Sequence, residues 1–459
     1  MKAVTTEQMR ELDRRTIAAG TPGEELMERA GFAVAKAAIE FLKQRNSRSV
    51  LLFAGKGNNG GDALVAARLL AAAGCAPTLV LLERHARETG VVVVEWPCEL
   101  PAADVIVDGL LGTGLKGDVR EPYASAIRFI NESNAAVIAV DVPSGLGTAT
   151  CVRADVTVTM GLPKIDLLKQ PDFVGRIQVA DIGVGNDVDT DVEMITSADI
   201  KLPARRRSAH KGDFGHLLIV AGSEGYTGAP VLCAHAAARA GAGLVTLAVP
   251  KEIYSIVASQ CPPEVMPRTL ESLPEHDALA IGPGMGQKPE AQKLIWRLLS
   301  SSTVPTVVDA DALNALAQAP EALKKLPGPL VLTPHPGEMK RLIGKPVVDR
   351  WEVARQFVEE FGHVLVLKGA GTVVTEKSGK LWINSTGNPG MAKGGMGDAL
   401  TGIIGALLAQ RMPALDAARA GVFWHGLAGD LAAAKLGERS MLATDLIEAL
   451  GVAWHSSAS

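Results

Sequence analysis

Short, continuous runs of apolar residues that end at a glycine or a carboxylate constrain the fold of this chain more than any other feature. In the first half they occupy residues 50–54, 78–82, 105–107 and 137–140. Apolar residues that do not alternate with polar ones are typical of parallel strands buried on both faces. A glycine-rich turn and an Ala- and Leu-rich helix, predicted over residues 63–73, follow the first run. The first half is therefore predicted to be an α/β unit with a parallel sheet.

The second half repeats this pattern. Its apolar runs lie at residues 217–221, 244–249, 278–281, 306–308, 330–332 and 364–367. The first residues of the chain are predicted to form a helix that ends at Gly20, because Met9, Leu12 and Ile17 have helical spacing. A second helix is predicted over residues 24–44. Both halves are thus predicted to be α/β.

The length of 459 residues exceeds what one ordinary hydrophobic core holds, so two domains are expected. The polar, basic stretch at residues 202–208 is typical of a linker, and we predict domains over residues 1–203 and 204–459. The three arginines of this stretch are more typical of a solvated connection than of a nucleic-acid contact.

Charge and cysteine content narrow the choice of partner and compartment. The net charge of −4 argues against nucleic acid or an acidic membrane surface as partner and favours a small molecule. No apolar stretch approaches the roughly 18 residues of a membrane span. The five cysteines are scattered, which predicts neither a disulfide framework nor a zinc site. A reducing cytoplasm is the expected compartment.

Three carboxylates follow apolar runs directly: Asp108, Asp141 and Asp309. The carboxyl edge of an open parallel sheet is where ligands bind. Any one of these residues could instead cap the next helix, but three of them together favour a site. Glycines follow both Asp108 and Asp141, and a glycine-rich turn can offer backbone N–H groups to a phosphate while the acid handles a proton or a cation.

The densest glycine run of the second half, residues 388–398, leads into an apolar helix predicted over residues 399–408. Glycines before a helix let backbone amides converge on a phosphate, and the helix dipole adds positive charge there. Asp398 at the mouth of such an anion hole would repel phosphate, which favours a proton-abstracting base. The alternative is that Asp398 is the N-cap of an ordinary helix.

The complete set of motifs resembles two known enzyme families. Residues 58–62, 108–114 and 141–145 resemble the YjeF N-terminal family of NAD(P)H-hydrate epimerases, and residues 210–212, 333–338, 368–372 and 394–398 resemble the ribokinase-like NAD(P)H-hydrate dehydratases. The resemblance covers nearly the whole chain, in family order. It implies two three-layer domains, a Rossmann-like YjeF domain and a ribokinase-like domain. It also implies repair of hydrated NADH and NADPH, in which the first domain epimerises the R and S hydrates and the second dehydrates the S hydrate.

The resemblance implies roles for individual residues. The epimerase contacts to the hydrate are Asn58, Asn59, Gly60, Gly61, Asp62, Gly112, Thr113, Gly114, Leu115, Lys116, Gly117, Asp118 and Asp141, with Asp141 also the acid/base group. The potassium ligands are Asn59, Asp108 and Ser144. In the dehydratase, the hydrate contacts are Ala229, Gly286, His335 and Asp398, with Asp398 also the catalytic base, and the nucleotide contacts are Lys368, Gly369, Ala370, Gly371, Thr372 and Gly397.

The resemblance also implies the small-molecule partners. These are NAD(P)H hydrates, K⁺ in the epimerase, and ADP or ATP as phosphoryl donor with Mg²⁺; ADP is favoured, and its use would release phosphate and AMP. A homo-oligomer is expected. Two residues depart from the family pattern, Ala63 in the epimerase motif and Lys393 in the dehydratase motif. Lys393 is expected either to hold phosphate or to point to solvent.

Two other functions remain open from the residues alone. A plain small-molecule kinase would use the run at residues 394–398 equally well, and the first half could be a nucleotide-sensing or protein-binding module without activity. A kinase would leave a stable phosphorylated product, whereas a dehydratase would release inorganic phosphate.

Overall fold

The computed structural model describes residues 1–83 and 90–455, which form two compact units, Met1–Val192 and Glu193–Ser459. This division lies earlier in the chain than the boundary predicted at residues 203 and 204. The reason is a short strand, Val192–Ile195, which lies beside Leu381–Asn384 at the edge of the second unit's sheet. Residues 193–203 therefore belong with the second unit.

The first unit is built on a parallel sheet. Its strands among the described residues are β1 (Ser49–Ala54), β2 (Ala76–Leu81), β3 (Val92–Glu95), β4 (Val105–Gly109), β5 (Ala136–Val140), β6 (Val156–Met160) and β7 (Arg176–Ala180). They are ordered β3-β2-β1-β4-β5-β6-β7, and every neighbouring pair is parallel. Buried apolar residues fill β1, β4 and β5, as the continuous apolar runs predicted.

Helices cover both faces of this sheet. They are α1 (Thr6–Ala18), α2 (Gly23–Gln44), α3 (Asn58–Ala72), α4 (Tyr123–Glu132), α5 (Ile165–Lys169) and α6 (Pro171–Val174). Alternate residues of β1 enter different cores: Leu52 packs in the core that contains α2 and α3, whereas Leu51 and Phe53 pack in the core that contains α4. The predicted three-layer arrangement is confirmed for this unit.

The order of the strands places a crevice between β1 and β4. The chain leaves β1 for β2 on one side, and β4 pairs on the other side, so the connections after β1 and β4 diverge at the carboxyl edge of the sheet. The two loops touch there, because a side chain at Gly55 would begin 2.0 Å from the Leu110 carbonyl oxygen. Ligands of open α/β sheets bind at such a switch point.

The second unit contains a larger sheet. Its strands are β8 (Val192–Ile195), β9 (His216–Val220), β10 (Leu244–Val249), β11 (Val265–Thr269), β12 (Ala278–Ile281), β13 (Thr306–Val308), β14 (Leu330–Leu332), β15 (Val364–Leu367), β16 (Val373–Thr375) and β17 (Leu381–Asn384). The order is β11-β10-β9-β12-β13-β14-β15-β16-β17-β8. Pairing is parallel from β11 to β15 and antiparallel between β15, β16 and β17.

Nine helices are described in this unit: α7 (Gly228–Arg239), α8 (Tyr254–Gln260), α9 (Pro289–Ser301), α10 (Ala310–Leu316), α11 (Pro336–Ile343), α12 (Arg350–Phe361), α13 (Met396–Ala409), α14 (Ala414–Leu436) and α15 (Ala443–His455). Helix α13 is buried along nearly its whole length. Its apolar residues share one core with residues of α7, α14, α15 and the sheet. This core fixes the position of the α13 N-terminus, where the glycine motif lies.

Two helices begin inside glycine motifs that were predicted to precede them. Helix α3 begins at Asn58 rather than at residue 63, and α13 begins at Met396 rather than at residue 399. The glycines therefore serve close packing within a first helical turn. Within the described ranges, no helix is both long enough and apolar enough to cross a membrane.

Candidate active sites

The crevice of the first unit opens into a cavity of about 1340 Å³. Most of the predicted hydrate contacts line it: Asn58, Asn59, Asp62, Gly112, Thr113, Gly114, Leu115, Lys116, Asp118 and Asp141. Gly60, Gly61 and Gly117 do not. Side chains at Gly60 and Gly61 would begin 1.8 Å from the Gly55 carbonyl oxygen and 2.6 Å from Met27 Cε. These two glycines thus let α3 pack closely behind the cavity.

Asp108 and Ser144 form one buried cluster at the ends of β4 and β5. Ser144 Oγ donates to Asp108 Oδ1 at 2.6 Å, and the Ser144 amide donates to Asp108 Oδ2 at 2.8 Å. Burial raises the pKa of Asp108 to about 6, although these hydrogen bonds favour its charged form. A cation bound nearby would stabilise the charged form of this buried carboxylate.

Asn59 lies at the same corner of the sheet. Its Nδ2 donates to the Val140 carbonyl oxygen at 2.5 Å. Its Oδ1 faces the loop after β4, where a side chain at Gly112 would begin 2.3 Å from it. Amide, hydroxyl and carboxylate oxygens are the donors that a hard cation prefers, so the residues predicted to bind potassium fit it in donor chemistry.

Asp141 has an unusual backbone conformation and forms an ion pair with a lysine that was not predicted as a site residue. Its φ is +65°, which is rare for a residue other than glycine and concentrates at functional sites. Lys164 Nζ forms an ion pair with Asp141 Oδ1 and donates to the Met160 carbonyl oxygen at 2.8 Å. Lys164 is only 2% exposed. It lies just past β6, which ends at the same sheet edge as β5, but this strand was not predicted and nothing in the sequence signalled the contact.

Two further carboxyl groups line the cavity near Asp141. Burial and, to a smaller extent, the charge of Asp141 raise the pKa of Asp62 to about 8. Burial also raises the pKa of Asp13, a residue of α1. At neutral pH the cavity therefore combines an acid that carries its proton, Asp62, with the ion pair of Asp141 and Lys164. Such a combination can donate and accept protons on a bound ligand.

In the second unit, Asp398 is the third residue of α13. The helix is capped by Gly395, whose φ is +90°, so the alternative that Asp398 is the N-cap is wrong. Helical geometry leaves the first amides of α13 without partners inside the helix, so they can donate to an anion at the helix N-terminus. Burial, followed by the charge of Asp309, raises the pKa of Asp398 to about 6. This value suits a general base near neutral pH.

A buried network underlies the first turn of α13. Lys368 Nζ, just past β15, donates to Asp309 Oδ1 at 2.7 Å and lies 3.9 Å from Glu338 Oε2. The other oxygen of Asp309 accepts from Thr401 Oγ1 at 2.7 Å. A side chain at Gly397 would begin 3.4 Å from Lys368 Nζ. The structure thus brings the predicted nucleotide contacts Lys368 and Gly397 together.

The rest of the predicted nucleotide loop, residues 369–372, is held by Arg350, another residue that the sequence analysis missed. Arg350 Nη1 donates to the Ala370 carbonyl oxygen at 2.6 Å, and Nη2 donates to that of Leu367 at 2.9 Å. Gly369 has a φ of +140°, and a side chain there would begin 3.2 Å from the guanidinium. Arg350 precedes this loop by a whole helix, so sequence spacing gave no signal for the contact.

The predicted hydrate contacts Gly286 and Ala229 lie near Asp398. The Gly286 amide donates to Asp311 Oδ2 at 2.8 Å, and the Asp311 charge contributes to the raised pKa of Asp398. Ala229 lies beside the Gly286 loop, since a side chain at Gly284 would begin 3.2 Å from Ala229 Cβ.

His335 has a structural role at this site as well. Its Nδ1 accepts from the Gly337 amide at 2.9 Å and thereby caps α11. This contact leaves Nε2 as the ring nitrogen that can carry the proton, and half of the side chain remains exposed.

Lys393, expected either to hold phosphate or to point to solvent, is exposed and also has a structural role. Its ammonium donates to the carbonyl oxygens of Arg439 at 2.6 Å and Met441 at 2.8 Å, so it fastens the loop before α15. His425 is buried, and its Nε2–H donates to the Met396 carbonyl oxygen at 2.9 Å. Burial lowers the pKa of His425 to about 4, which keeps the ring neutral. Both residues thus stabilise the surroundings of the α13 N-terminus.

Comparison with known proteins identifies the family of this chain. A family model described as NAD(P)H-hydrate dehydratase matches residues 217–451, and one described as YjeF-related protein N-terminus matches residues 23–165. The bifunctional NAD(P)H-hydrate repair enzyme of Moorella thermoacetica is 41% identical, spanning 98% of this chain and 96% of the relative. That of Coxiella burnetii is 40% identical, spanning 97% and 98%. The chain belongs to the bifunctional NAD(P)H-hydrate repair enzyme family.

Solved structures agree with this family for the second unit. The ADP/ATP-dependent NAD(P)H-hydrate dehydratase of Bacillus subtilis, co-crystallised with ATP/Mg²⁺, is 31% identical with a TM-score of 0.53, covering 59% of this chain and all of that one. A ribokinase-like superfamily protein of Enterococcus faecalis is 27% identical with a TM-score of 0.54, covering 60% of this chain and 99% of that one. The predicted family and the ribokinase-like fold of the repair enzyme's second unit are therefore confirmed.

Proposed function

We propose that the second unit dehydrates the S form of hydrated NADH and NADPH at the expense of a nucleotide, with Asp398 as general base. The observation that carries this proposal is the place of Asp398 in the first turn of α13, beside the ion pair of Lys368 with the buried Asp309. A carboxylate at a helix N-terminus repels the phosphate that this terminus attracts, unless it takes a proton there.

The chemistry of the substrate explains why a kinase-like site suits a dehydratase. The hydrate carries a hydroxyl on the carbon next to the ring nitrogen, and hydroxide leaves poorly. Asp398 takes the hydroxyl proton as the oxygen attacks the terminal phosphorus, and the amides of residues 394–397 stabilise the charge that develops. The ring nitrogen then expels phosphate, and loss of a proton restores the double bond.

We infer that ADP is the preferred donor, which would yield AMP and phosphate. Mg²⁺ supplies charge neutralisation for the phosphates when bound, and the carboxylates of Asp311 and Glu338 provide hard oxygen ligands on this side of the sheet. Among the described residues, no cluster of three or more His, Cys, Asp and Glu could hold a metal ion by itself. The cation would accordingly share its ligands with the nucleotide. A homo-oligomer and a cytoplasmic location remain part of the proposal.

The first unit is proposed to interconvert the R and S hydrates. The dehydratase site is chiral and accepts one configuration, whereas uncatalysed hydration gives both. Epimerisation needs proton transfer at a cavity shaped for the cofactor, and the group we assign to it is Asp141, supported by its ion pair with Lys164 and by the protonated Asp62.

One assay tests both halves of the proposal. The purified protein is incubated with a mixed-epimer hydrate and either ADP or ATP, and the recovery of reduced-nicotinamide absorbance and the release of phosphate are followed. Complete recovery with stoichiometric phosphate supports both activities. Recovery of only the S fraction would argue against epimerisation, and a stable phosphorylated product would favour the kinase alternative.

Potassium is expected to support epimerisation through Asn59, Asp108 and Ser144. Asp108→Ala should abolish the potassium dependence of the epimerisation rate, and Ser144→Ala should weaken it. Because the pKa of Asp108 is about 6, protons should compete with the cation, and the potassium response should fade as the pH drops below about 6. Potassium should also raise the melting temperature of the wild-type first unit but not of Asp108→Ala. An unchanged potassium profile in Asp108→Ala would leave Asp108 a structural residue.

The two units are expected to act separately when the chain is cut after Val192. Residues 1–192 should epimerise without nucleotide, and residues 193–459 should dehydrate only the S hydrate, since each unit has its own sheet and site. The matched control is a cut after residue 203. That cut removes β8 from the second sheet, including the buried Met194 and Ile195 and the ion pair of Glu193 with Lys380. Residues 204–459 should therefore melt at a lower temperature than residues 193–459. Equal melting temperatures would contradict the boundary.

A further inference from the structure

Of the three carboxylates that follow apolar runs in the sequence, Asp309 has no role in the reaction proposed above. It lies at the carboxyl end of β13 and is 1% exposed. Its Oδ1 accepts from Lys368 Nζ and its Oδ2 from Thr401 Oγ1, both at 2.7 Å. Because both oxygens already accept hydrogen bonds, Asp309 is poorly placed to take a proton from a substrate hydroxyl. Burial of a charged side chain costs free energy, so a role other than proton transfer is expected for Asp309.

Lys368 is the first partner of Asp309. Its ammonium lies against the first turn of α13, as the 3.4 Å approach to a side chain built on Gly397 shows. Burial would lower the pKa of Lys368, but the charges of Asp309 and Glu338 raise it above its usual value, so the ammonium stays charged. A lysine side chain is flexible and loses much freedom when it is held in one position. The contact with Asp309 restricts it.

Thr401 is the second partner, and it connects this pair to the proposed base. It is fully buried and lies three residues after Asp398 on α13. Residues at this spacing lie on the same face of a helix. One carboxylate thus links the ammonium of Lys368 to the helix that carries Asp398.

We propose that Asp309 is a positioning residue for dehydration, whose carboxylate holds the Lys368 ammonium against the first turn of α13 and, through Thr401, in a fixed arrangement with Asp398. The inference rests on the proposed function. In the phosphoryl transfer, the hydroxyl oxygen of the hydrate bonds to the terminal phosphorus and gives its proton to Asp398. The bond from that phosphorus to the bridging oxygen breaks, and its electron pair leaves with the nucleotide. Lys368 offsets the charge on the phosphates during this exchange.

A double-mutant cycle tests whether Asp309 acts through Lys368. Asp309→Asn, Lys368→Met and the double variant are compared in kcat for dehydration and in ADP affinity by calorimetry. Asp309→Asn should lower kcat by roughly 10- to 100-fold, the scale of a catalytic group displaced by about 1 Å. The double variant should bind ADP no worse than Lys368→Met alone, and its loss in kcat should be smaller than the product of the two single losses, because only the route through Thr401 remains to be lost. If the losses of the two single variants multiply in the double variant, both in kcat and in ADP affinity, the two residues act independently and the proposal is overturned.

Thr401 offers a matched pair of variants that also covers the case in which Asp309→Asn does not fold. Thr401→Ser keeps the hydroxyl, and Thr401→Val replaces it with a methyl group of the same size. Thr401→Val should lose about tenfold in kcat, the scale of a lost hydrogen bond to a charged group, while the KM for ADP changes little. Thr401→Ser keeps this hydrogen bond, so its kcat should stay within about twofold of the wild-type value. Equal kcat values for the two variants would overturn the link through Thr401. The melting temperature of the second unit in each sample serves as the folding control, because this unit has its own sheet.

The pH profile separates positioning from a merely structural role. The charged groups that act on Asp398 are Asp309, Lys368, Asp311 and Glu338. The charge of Asp309 raises the pKa of Asp398, so Asp309→Asn should move the acidic limb of kcat/KM to lower pH. An unmoved limb together with a normal melting temperature would contradict the proposal. If the wild type itself releases no phosphate from hydrate and nucleotide, the proposed function fails, and the cycle in ADP affinity still decides the role of Asp309.

Discussion

Asp398→Asn is expected to lower the dehydration rate by roughly 10²- to 10⁴-fold, which is what a well-placed proton-transfer group contributes. Asn keeps the size of the side chain at the third position of α13 but cannot take the hydroxyl proton. The fold should survive, because Gly395 rather than Asp398 caps the helix. Nucleotide affinity should persist or rise slightly, since a negative charge near the phosphates is removed. Steady-state kinetics and ADP calorimetry on the same preparation measure these effects.

The epimerisation activity of the same chain is the control for this variant. Epimerisation is assigned to the other unit, so it should be unchanged in the same sample of Asp398→Asn. Near-normal dehydration by a folded variant would remove Asp398 as the base. Loss of both activities together would argue against two separate sites.

The pH dependence of the wild type gives a second check on Asp398. A base works only when it is deprotonated, and burial together with Asp309 raises the pKa of Asp398 to about 6. Dehydration should therefore rise with pH through about 6 and level off above it, rather than near the usual value of 3.8. The acidic limb should be absent from the residual activity of Asp398→Asn.

The sheets were predictable from the sequence because their central strands are buried on both faces. Continuous apolar runs predicted β1, β2, β4, β5, β9, β10, β12, β13, β14 and β15. The strands that were missed are β3, β6, β7, β8, β11, β16 and β17. Apolar residues alternate with threonines in β6, β16 and β17 belong to an antiparallel extension, and β3 is largely exposed at a sheet edge although residues 91–94 are all valines. Edge and antiparallel strands do not need two apolar faces.

The glycine motifs were located correctly but given the wrong local structure. Glycine disfavours helix, so residues 58–62 were predicted as a turn and residues 394–398 as a glycine run before a helix. In the structure the cost is offset by close packing, since α3 approaches Gly55 through Gly60, and the first turn of α13 approaches Lys368 through Gly397. Intrinsic propensity cannot show which backbone or side chain will lie against a given glycine.

The side chains that hold the sites in place could largely not be predicted from the sequence. Lys164 reaches Asp141 because two neighbouring strands end at one edge of the sheet, and Arg350 reaches the nucleotide loop from the start of α12. Neither contact follows from local spacing. The assignments of substrate, potassium and nucleotide contacts to individual residues stay predictions, and the geometry supports them by bringing the residues of each set into one neighbourhood.

The second large effect is expected for Asp141→Asn, which should lower epimerisation by roughly 10²- to 10⁴-fold while leaving dehydration of the S hydrate unchanged. Asn is the matched replacement here, because it tolerates the positive φ of this position better than other residues. The physical complication is Lys164, whose buried ammonium loses its charge partner. An uncompensated buried charge is destabilising.

The double variant Asp141→Asn, Lys164→Met separates the two consequences. Removing the ammonium should restore part of the melting temperature lost in Asp141→Asn, because no unpaired charge remains in the interior. Epimerisation should stay as low as in the single variant, because the carboxylate is still missing. If the double variant recovers epimerisation along with stability, Asp141 serves only to neutralise Lys164, and Asp62, whose pKa of about 8 leaves it a proton to give, becomes the acid/base group to test next.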